Sequence, residues 1–150
     1  MNAPPRIVTI GETCTSTLAL TPTSVKSFAT LVNDLNPLHH DDAYAAQSRF
    51  GGLIASGTQP SAHFMALLAT HFSQRAQPLG LDFEIRMKRA AHAHDVLRFE
   101  WRVVDAGWKP SLNGDLVKLA GTAVNASGDT ILCGRATIVV MPKPDGAPPR

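Results

Sequence analysis

The pattern of apolar and polar positions divides the chain into a first part with helices and a second part made of strands. Residues 81–87 and 97–104 alternate apolar and polar side chains, which is typical of strands with one buried face. Two more strands are predicted over 115–125 and Thr130–Met141, joined by a hairpin turn of sequence Ala-Ser-Gly-Asp. The second part therefore predicts an antiparallel sheet.

The first part predicts extended segments at 6–10 and 13–20, followed by helices. A helix should begin at Thr21-Pro22, because a hydroxyl residue before proline favours a helix start and apolar residues then recur at helical spacing through Val32. Asp42 is predicted to cap a short helix that runs through Ala46, and 50–52 is predicted to be a turn.

The segment 58–72 is predicted to be the most apolar helix of the chain. Gly57 precedes it, Thr58 is a candidate N-cap, and Pro60 lies in the first turn. Apolar residues lie nearly all round this helix, so we expect it to be buried. Helices followed by antiparallel strands indicate an α+β domain, with the sheet wrapped around this one long helix.

Composition adds limits to this interpretation. A length of 150 residues predicts one domain, over 1–141, and the four prolines within 142–150 predict a solvated tail. A net charge of +2 gives no support for binding to nucleic acid or to an anionic membrane. Charged residues make up 17%, below the usual ~25%, which suggests that a partner covers part of the surface.

The cysteines and the chain start indicate where the protein works. Cys14 and Cys133 form no ligand pair or disulfide framework, so we expect both to be reduced. Pro4 and Pro5 interrupt any secretory signal, and the longest apolar run, 64–69, is far shorter than a membrane span. We therefore expect a cytoplasmic protein that does not enter a membrane.

The loop 33–42 concentrates carboxylates and imidazoles. Asp34 and His39 stand on either side of a bend stiffened by Pro37, and a bend allows two such side chains to converge. A carboxylate beside an imidazole can bind a water molecule and take its proton. A loop of this composition can equally be ordinary turn chemistry, and the residues alone leave both interpretations open.

A second candidate element is the start of the apolar helix, at Ser56, Gly57 and Thr58. The first N–H groups of a helix have no intrahelical acceptor, and the helix dipole places partial positive charge there. Glycine allows a ligand to approach the backbone closely. Such an N–H group could stabilise a carbonyl oxygen that gains negative charge, although helix starts of this kind are also common without a ligand.

Two motifs carry a resemblance to a known family. The run Asp-Leu-Asn-Pro-Leu-His at 34–39, with Phe-Gly-Gly-Leu-Ile-Ala-Ser-Gly at 50–57, resembles the MaoC-like acyl dehydratases, the (R)-specific enoyl-CoA hydratase family. The resemblance implies a hotdog fold, a homodimer or a dimer of dimers, and an acyl-CoA substrate. It also implies reversible addition of water across the C2–C3 double bond of a trans-2-enoyl-CoA, without a cofactor or a metal.

The resemblance implies roles for individual residues. Asp34 and His39 would activate the water, and the N–H group of Gly57 would bind the thioester oxygen. Asn36 would order the loop. The expected substrate-binding residues are Asn36, Ser56, Thr58, Ser61, Met65 and Leu68. Two alternatives stay open, a hotdog acyl-CoA thioesterase and a non-catalytic subunit that binds acyl-CoA or pairs with a catalytic chain.

The remaining histidines and a basic cluster receive structural interpretations. His92, His94 and Asp95 are metal-ligand types, but a polar turn is favoured. His40 is expected to be solvated, and His63 and His71 to lie at the core edge or at an interface. The cluster Arg86, Lys88 and Arg89 is interpreted as a solvated strand face, with the phosphates of coenzyme A as the alternative.

Overall fold

The computed structural model describes residues 6–144. Its helices and strands follow the order β1 (Thr13–Ala19), α1 (Pro22–Leu31), α2 (Asp42–Gln47), α3 (Thr58–Ser73), β2 (Gln77–Met87), β3 (Val96–Lys109), β4 (Gly114–Val124) and β5 (Thr130–Met141). All neighbouring strands are antiparallel, in the sheet order β1-β3-β4-β5-β2. Helix α3 contacts both edge strands as well as β3 and β5, so the sheet curves around it. The α+β prediction is confirmed.

The contact between helix α3 and the sheet includes a pair of stacked aromatic rings. Phe64 of α3 stacks on Trp101 of β3 with ring centroids 4.0 Å apart, and the indole N–H of Trp101 donates to the Phe64 carbonyl oxygen at 2.8 Å. Both side chains are fully buried. Gly121 of β4 leaves room for the indole, since a Cβ there would lie 2.6 Å from the Trp101 ring. The helix is thus attached to the centre of the sheet by packing and by a buried hydrogen bond.

Helix α1 begins as the sequence predicts. Thr21 is its N-cap, and Thr21 and Ser24 exchange side-chain to backbone hydrogen bonds of 3.0 and 3.1 Å. This capping box satisfies N–H groups that a helix start leaves without partners. The helix ends at Leu31, close to the predicted end.

Two local predictions are wrong. The segment 6–10 is not a strand; instead, the N–H groups of Ile7 and Val8 both donate to Oδ2 of buried Asp115, at 2.9 Å each. The cap of α2 is Asp41, whose carboxylate accepts from the Tyr44 N–H, whereas Asp42 lies in the first turn and pairs with Lys26. Either of two adjacent aspartates can serve as an N-cap, and the sequence does not distinguish between them. The path of the backbone decides which one caps α2.

The expectation that α3 is buried all round is also wrong for the single chain. Phe64, Leu67, Leu68 and Phe72 are buried, but Ala62, Met65, Ala66 and Ala69 are exposed. The neighbouring edge strand β2 also exposes Leu79 and Leu81, each 53% accessible. We call these six exposed residues the α3–β2 face. A hydrophobic pattern shows that a surface avoids water, but not whether the same chain covers it.

Within residues 6–144, no helix is both long and apolar enough to cross a membrane.

The hairpin predicted between β4 and β5 is confirmed, with the Asn125 side chain accepting from the N–H groups of Ser127 and Asp129 at 3.0 Å each. Residues 145–150 of the predicted tail, and Pro4 and Pro5, lie outside the described part of the chain.

A partly exposed ion cluster links Glu12, just before β1, to the end of α3 and predicts a pH dependence of stability. The Glu12 carboxylate lies 2.6 Å from Nε2 of His71 and accepts two bonds from Arg75, at 2.7 and 2.8 Å. Burial raises the pKa of Glu12, but the bonds to His71, Arg75 and the Thr9 N–H outweigh this and hold it below the ordinary value of 4.5. Because the pKa of Glu12 is lower in the folded protein, its ionised carboxylate stabilises the fold above pH 4.5. This stabilisation is lost as the pH falls through the pKa that Glu12 has in the folded state.

We therefore expect Glu12→Gln to remove part of the acid dependence of folding. Urea denaturation at a series of pH values would give the free energy of unfolding of each protein. The parent should lose more stability than Glu12→Gln as the pH falls below 4.5, so that the two curves converge at low pH. Parallel curves throughout would show that Glu12 contributes no such term.

Candidate active site

The end of α1 places Asp34. Asn33 adopts a left-handed backbone conformation with φ 59°, which turns the chain sharply after the helix. The Asp34 N–H then donates to the Ala29 carbonyl oxygen at 2.8 Å, which fixes the backbone of Asp34 against the last turn of the helix. The carboxylate is thus presented by a short, hydrogen-bonded loop.

Asn36 shapes the return of the loop toward Asp34. Its side-chain oxygen accepts from the Leu38 N–H at 3.1 Å and caps a short 3₁₀ turn, Pro37–His39. Pro37 occupies the first position of this turn, where its missing N–H costs no hydrogen bond. The turn brings His39 back beside Asp34, as the bend in the sequence predicts. Asn36 orders the loop in this structure, in agreement with the expected role.

Asp34 and His39 form a directly facing pair. Oδ2 of Asp34 lies 3.3 Å from Nε2 of His39, and His39 is only 6% exposed. Nδ1 of His39 lies 2.7 Å from the Ile54 carbonyl oxygen. A carbonyl can only accept, so Nδ1 carries a proton, and in the neutral form of the ring it is the unprotonated Nε2 that faces Asp34. Two proton acceptors therefore face the same point.

The environment of Asp34 favours its ionised form. A hydrogen bond from the Ser56 hydroxyl lowers the pKa of Asp34 most, followed by the Asn36 N–H, which lies 3.2 Å from Oδ1. Burial opposes these two hydrogen bonds, and smaller electrostatic effects of His39 and His40 lower the pKa of Asp34 further. Asp34 is consequently a carboxylate at neutral pH and can accept hydrogen bonds.

The expectation that His40 is solvated is wrong. His40 is half-buried, and its Nε2 lies 2.6 Å from the Asp34 carbonyl oxygen. Successive residues of a 3₁₀ turn point about 120° apart, so His39 and His40 leave the backbone in different directions and contact different parts of one loop. His40 therefore supports the backbone of Asp34 while His39 meets its side chain.

The start of α3 presents a backbone N–H group. Gly57, and not Thr58, is the N-cap; Thr58 is the first helical residue, and its hydroxyl is 2.6 Å from the Ser56 hydroxyl. The Ser56 carbonyl oxygen accepts from the Gln59 N–H, while the N–H of Gly57 meets no acceptor in the described part of the chain. A free N–H at the positive end of a 16-residue helix is suited to an oxygen that gains negative charge.

His39 and Gly57 line one cavity of about 310 Å³. Asp34 does not line this cavity itself, but it contacts His39, which does. The thioether of Met87 lies over Gly57, where an added Cβ would come within 2.6 Å of Sδ. Sequence reasoning missed Met87 because its place in the alternation of β2 makes it look like a core residue, yet it is 61% exposed.

Residues 7–92 match the family model described as "MaoC like domain". The chain belongs to the MaoC-like domain family. A search of curated proteins found no match. Among solved structures, the chain is similar to the MaoC-like dehydratase from Rhodospirillum rubrum, with 26% identity, coverage of 91% of this chain and 95% of that one, and a TM-score of 0.77.

Two further structures place the MaoC-like chain among related folds. It is similar to the R-hydratase PhaJ1 from Pseudomonas aeruginosa, with 26% identity, coverage of 95% of this chain and 92% of that one, and a TM-score of 0.78. It also shares its fold with a chain of the ChsH1-ChsH2 complex from Mycobacterium tuberculosis, at 15% identity, with coverage of 88% and 98% and a TM-score of 0.76. The hotdog fold is confirmed.

The MaoC-like chain does not bring all expected substrate residues to this cavity. Met65 and Leu68 line a separate cavity of about 720 Å³ between α3 and β2. An α-helix rises ~1.5 Å per residue, so these two residues stand roughly 12 and 16 Å along the axis from Gly57. The hydroxyl of Ser61 is buried without a hydrogen-bond partner within the described residues. The assignment of Ser61, Met65 and Leu68 to an acyl pocket stays a prediction.

The other histidines of the MaoC-like chain have structural partners or surface positions. The Asp95 carboxylate accepts from the His92 N–H at 2.9 Å, which confirms a polar turn. His71 pairs with Glu12, as expected for the core edge, and His63 is exposed. Over residues 6–144, no group of three or more His, Cys, Asp or Glu side chains is arranged to bind a metal ion.

Proposed function

We propose that this MaoC-like protein adds water reversibly across the C2–C3 double bond of a trans-2-enoyl-CoA to give a 3-hydroxyacyl-CoA. The observation that carries the proposal is the Asp34–His39 pair, with Oδ2 and Nε2 3.3 Å apart, where His39 lines the same cavity as Gly57 with its unpartnered N–H. Membership of the family and the similarity to an R-hydratase and a dehydratase support a hydratase or dehydratase.

The proposed reaction begins with a water molecule bound between Asp34 and His39. The water donates hydrogen bonds to Oδ2 and Nε2, which turns an oxygen lone pair toward C3 of the substrate. As the C3–O bond forms, the pair takes a proton from the water, and the electrons of the double bond move toward the thioester oxygen. General base assistance of this kind typically contributes about 10²–10⁴-fold to the rate.

Gly57 would stabilise the charge that develops on the thioester oxygen. Its N–H would donate to the enolate-like oxygen, assisted by the dipole of α3. The proton held by Asp34 and His39 then passes to C2, which restores the pair and completes the addition of H and OH. The reaction balances with water and the enoyl thioester alone, so the proposal includes no cofactor.

To test the proposal, the protein is incubated with crotonyl-CoA while the enoyl absorbance and the release of free thiol are measured. Hydration predicts a loss of enoyl absorbance without release of a free thiol. Release of thiol would instead indicate a thioesterase. If neither readout changes while acyl-CoA still binds, the chain is a non-catalytic subunit. Either of the last two results would overturn the proposal.

The proposal includes a second copy of the chain that covers the α3–β2 face. This face is apolar, lies on an edge strand and borders the cavity that contains Met65 and Leu68. The low charged fraction of 17% agrees with a covered surface. We propose a homodimer, or a dimer of dimers. A monomeric mass in light scattering would contradict it.

A further inference from the structure

Three cationic side chains line the same cavity as His39 and Gly57. They are Arg49, Lys88 and Arg89, and all three are exposed. None of the described residues that line this cavity is an aspartate or a glutamate. The whole chain carries a net charge of only +2, whereas this one cavity is lined by three cations and no carboxylate. Such a local field attracts an anionic ligand even when the net charge is small.

These three cations have no carboxylate partner among the described residues. The nearby Arg86 differs, because it pairs with Glu84 at 3.3 Å and is partly neutralised. Arg49 lies over the ring of Phe50, 4.8 Å from its centroid, which orients its side chain by a cation–π contact. The structure therefore separates a paired cation, Arg86, from three cations that are free to bind another anion.

The backbone connects these cations directly to the candidate active site. Met87 covers Gly57, and the two residues that follow are Lys88 and Arg89. The N–H groups of Lys88 and Arg89 both donate to the Ile131 carbonyl oxygen, at 2.8 and 3.4 Å, which fixes this segment at the end of β2. A ligand with its reacting group at Gly57 would thus leave the cavity past Met87 and reach the charged side chains.

We propose that Arg49, Lys88 and Arg89 bind the phosphates of coenzyme A; this inference rests on the proposed function. Coenzyme A carries a diphosphate and a ribose phosphate, so it offers several anionic groups to three cations. Guanidinium groups bind phosphate oxygens in pairs, and a lysine adds a point charge. A phosphopantetheine arm on a carrier protein has one phosphodiester and fits this set of charges less well.

The test compares a substrate that carries phosphates with one that does not. The variant Lys88→Gln/Arg89→Gln and the parent are assayed with crotonyl-CoA and with crotonyl-pantetheine. Lys109→Gln, an exposed lysine at the end of β3 that does not line this cavity, is the matched control. Exposed ion pairs contribute up to about fivefold each, so KM for crotonyl-CoA should rise roughly tenfold in the double variant. KM for crotonyl-pantetheine and kcat for both substrates should stay near the parent values.

A second measurement separates this inference from the proposed reaction. Calorimetric titration with free coenzyme A requires no catalysis and should show roughly tenfold weaker binding to the double variant than to the parent or to Lys109→Gln. Equal binding by all three proteins would overturn the phosphate site even if hydration is observed. Equal changes in KM for both thioesters would also overturn it. Weakened binding of coenzyme A would support the site even if crotonyl-CoA is not hydrated.

Discussion

We expect Asp34→Asn to lower kcat for the hydration of crotonyl-CoA by at least about a hundredfold, as for the loss of a positioned general base. Asparagine has nearly the same shape and keeps an oxygen that can accept from the Asn36 N–H. It lacks the negative charge that faces His39 at 3.3 Å, and it replaces one acceptor oxygen by an amide NH2 group, which donates. The water would lose one of its two acceptors, whereas the loop would keep its path.

Two controls distinguish loss of chemistry from loss of structure. Asp105→Asn changes an exposed aspartate on β3 in the same way and should leave kcat unchanged. Urea denaturation of Asp34→Asn should still show cooperative unfolding with only a modest loss of stability, because asparagine keeps an oxygen that accepts from the Asn36 N–H. A kcat near the parent value in Asp34→Asn would contradict the proposed role of the carboxylate.

The largest effect on stability is expected from Trp101→Ala, which should lower the free energy of unfolding by about 3–5 kcal/mol. Trp101 is fully buried between Phe64 and Gly121, and its indole N–H holds the Phe64 carbonyl oxygen at 2.8 Å. Alanine leaves a cavity at the contact between α3 and the sheet. Gly121 has no side chain that could fill it.

Trp108 offers a matched control on the same strand. It is half-buried, so Trp108→Ala should cost much less stability than Trp101→Ala. Denaturant midpoints of both variants and of Trp101→Phe, which keeps an aromatic ring and loses the hydrogen bond, would provide the comparison. Equal losses for Trp101→Ala and Trp108→Ala would show that the Phe64–Trp101 contact is not the main attachment of α3.

Local signals in the sequence predict most of the fold. Alternation of apolar and polar residues predicts strands at 81–87 and 97–104, and the hydroxyl and proline at Thr21-Pro22 predict the start of α1, which the capping box confirms. These signals depend on residues close in sequence, so they need no knowledge of the tertiary structure. The segment 6–10 fails for the opposite reason, because its partner is Asp115, more than a hundred residues away.

The candidate site is predictable only in part. The bend at Pro37 predicts that Asp34 and His39 converge, but the contact of His39 with the Ile54 carbonyl oxygen, which sets its tautomer, depends on another segment. Met65 illustrates a second limit. Its helical position indicates an apolar contact, while the structure places it on the exposed α3–β2 face, away from the cavity of Gly57. Local periodicity does not identify which neighbour a helix face meets.

The most direct test of the central claim is to follow where the oxygen of water goes. The parent protein is incubated with crotonyl-CoA in water labelled with heavy oxygen, and the products are analysed by mass spectrometry. Hydration by the Asp34–His39 pair predicts one labelled oxygen on C3 of an intact 3-hydroxybutyryl-CoA. A labelled carboxylate together with free coenzyme A, or a substrate without label, would contradict the account.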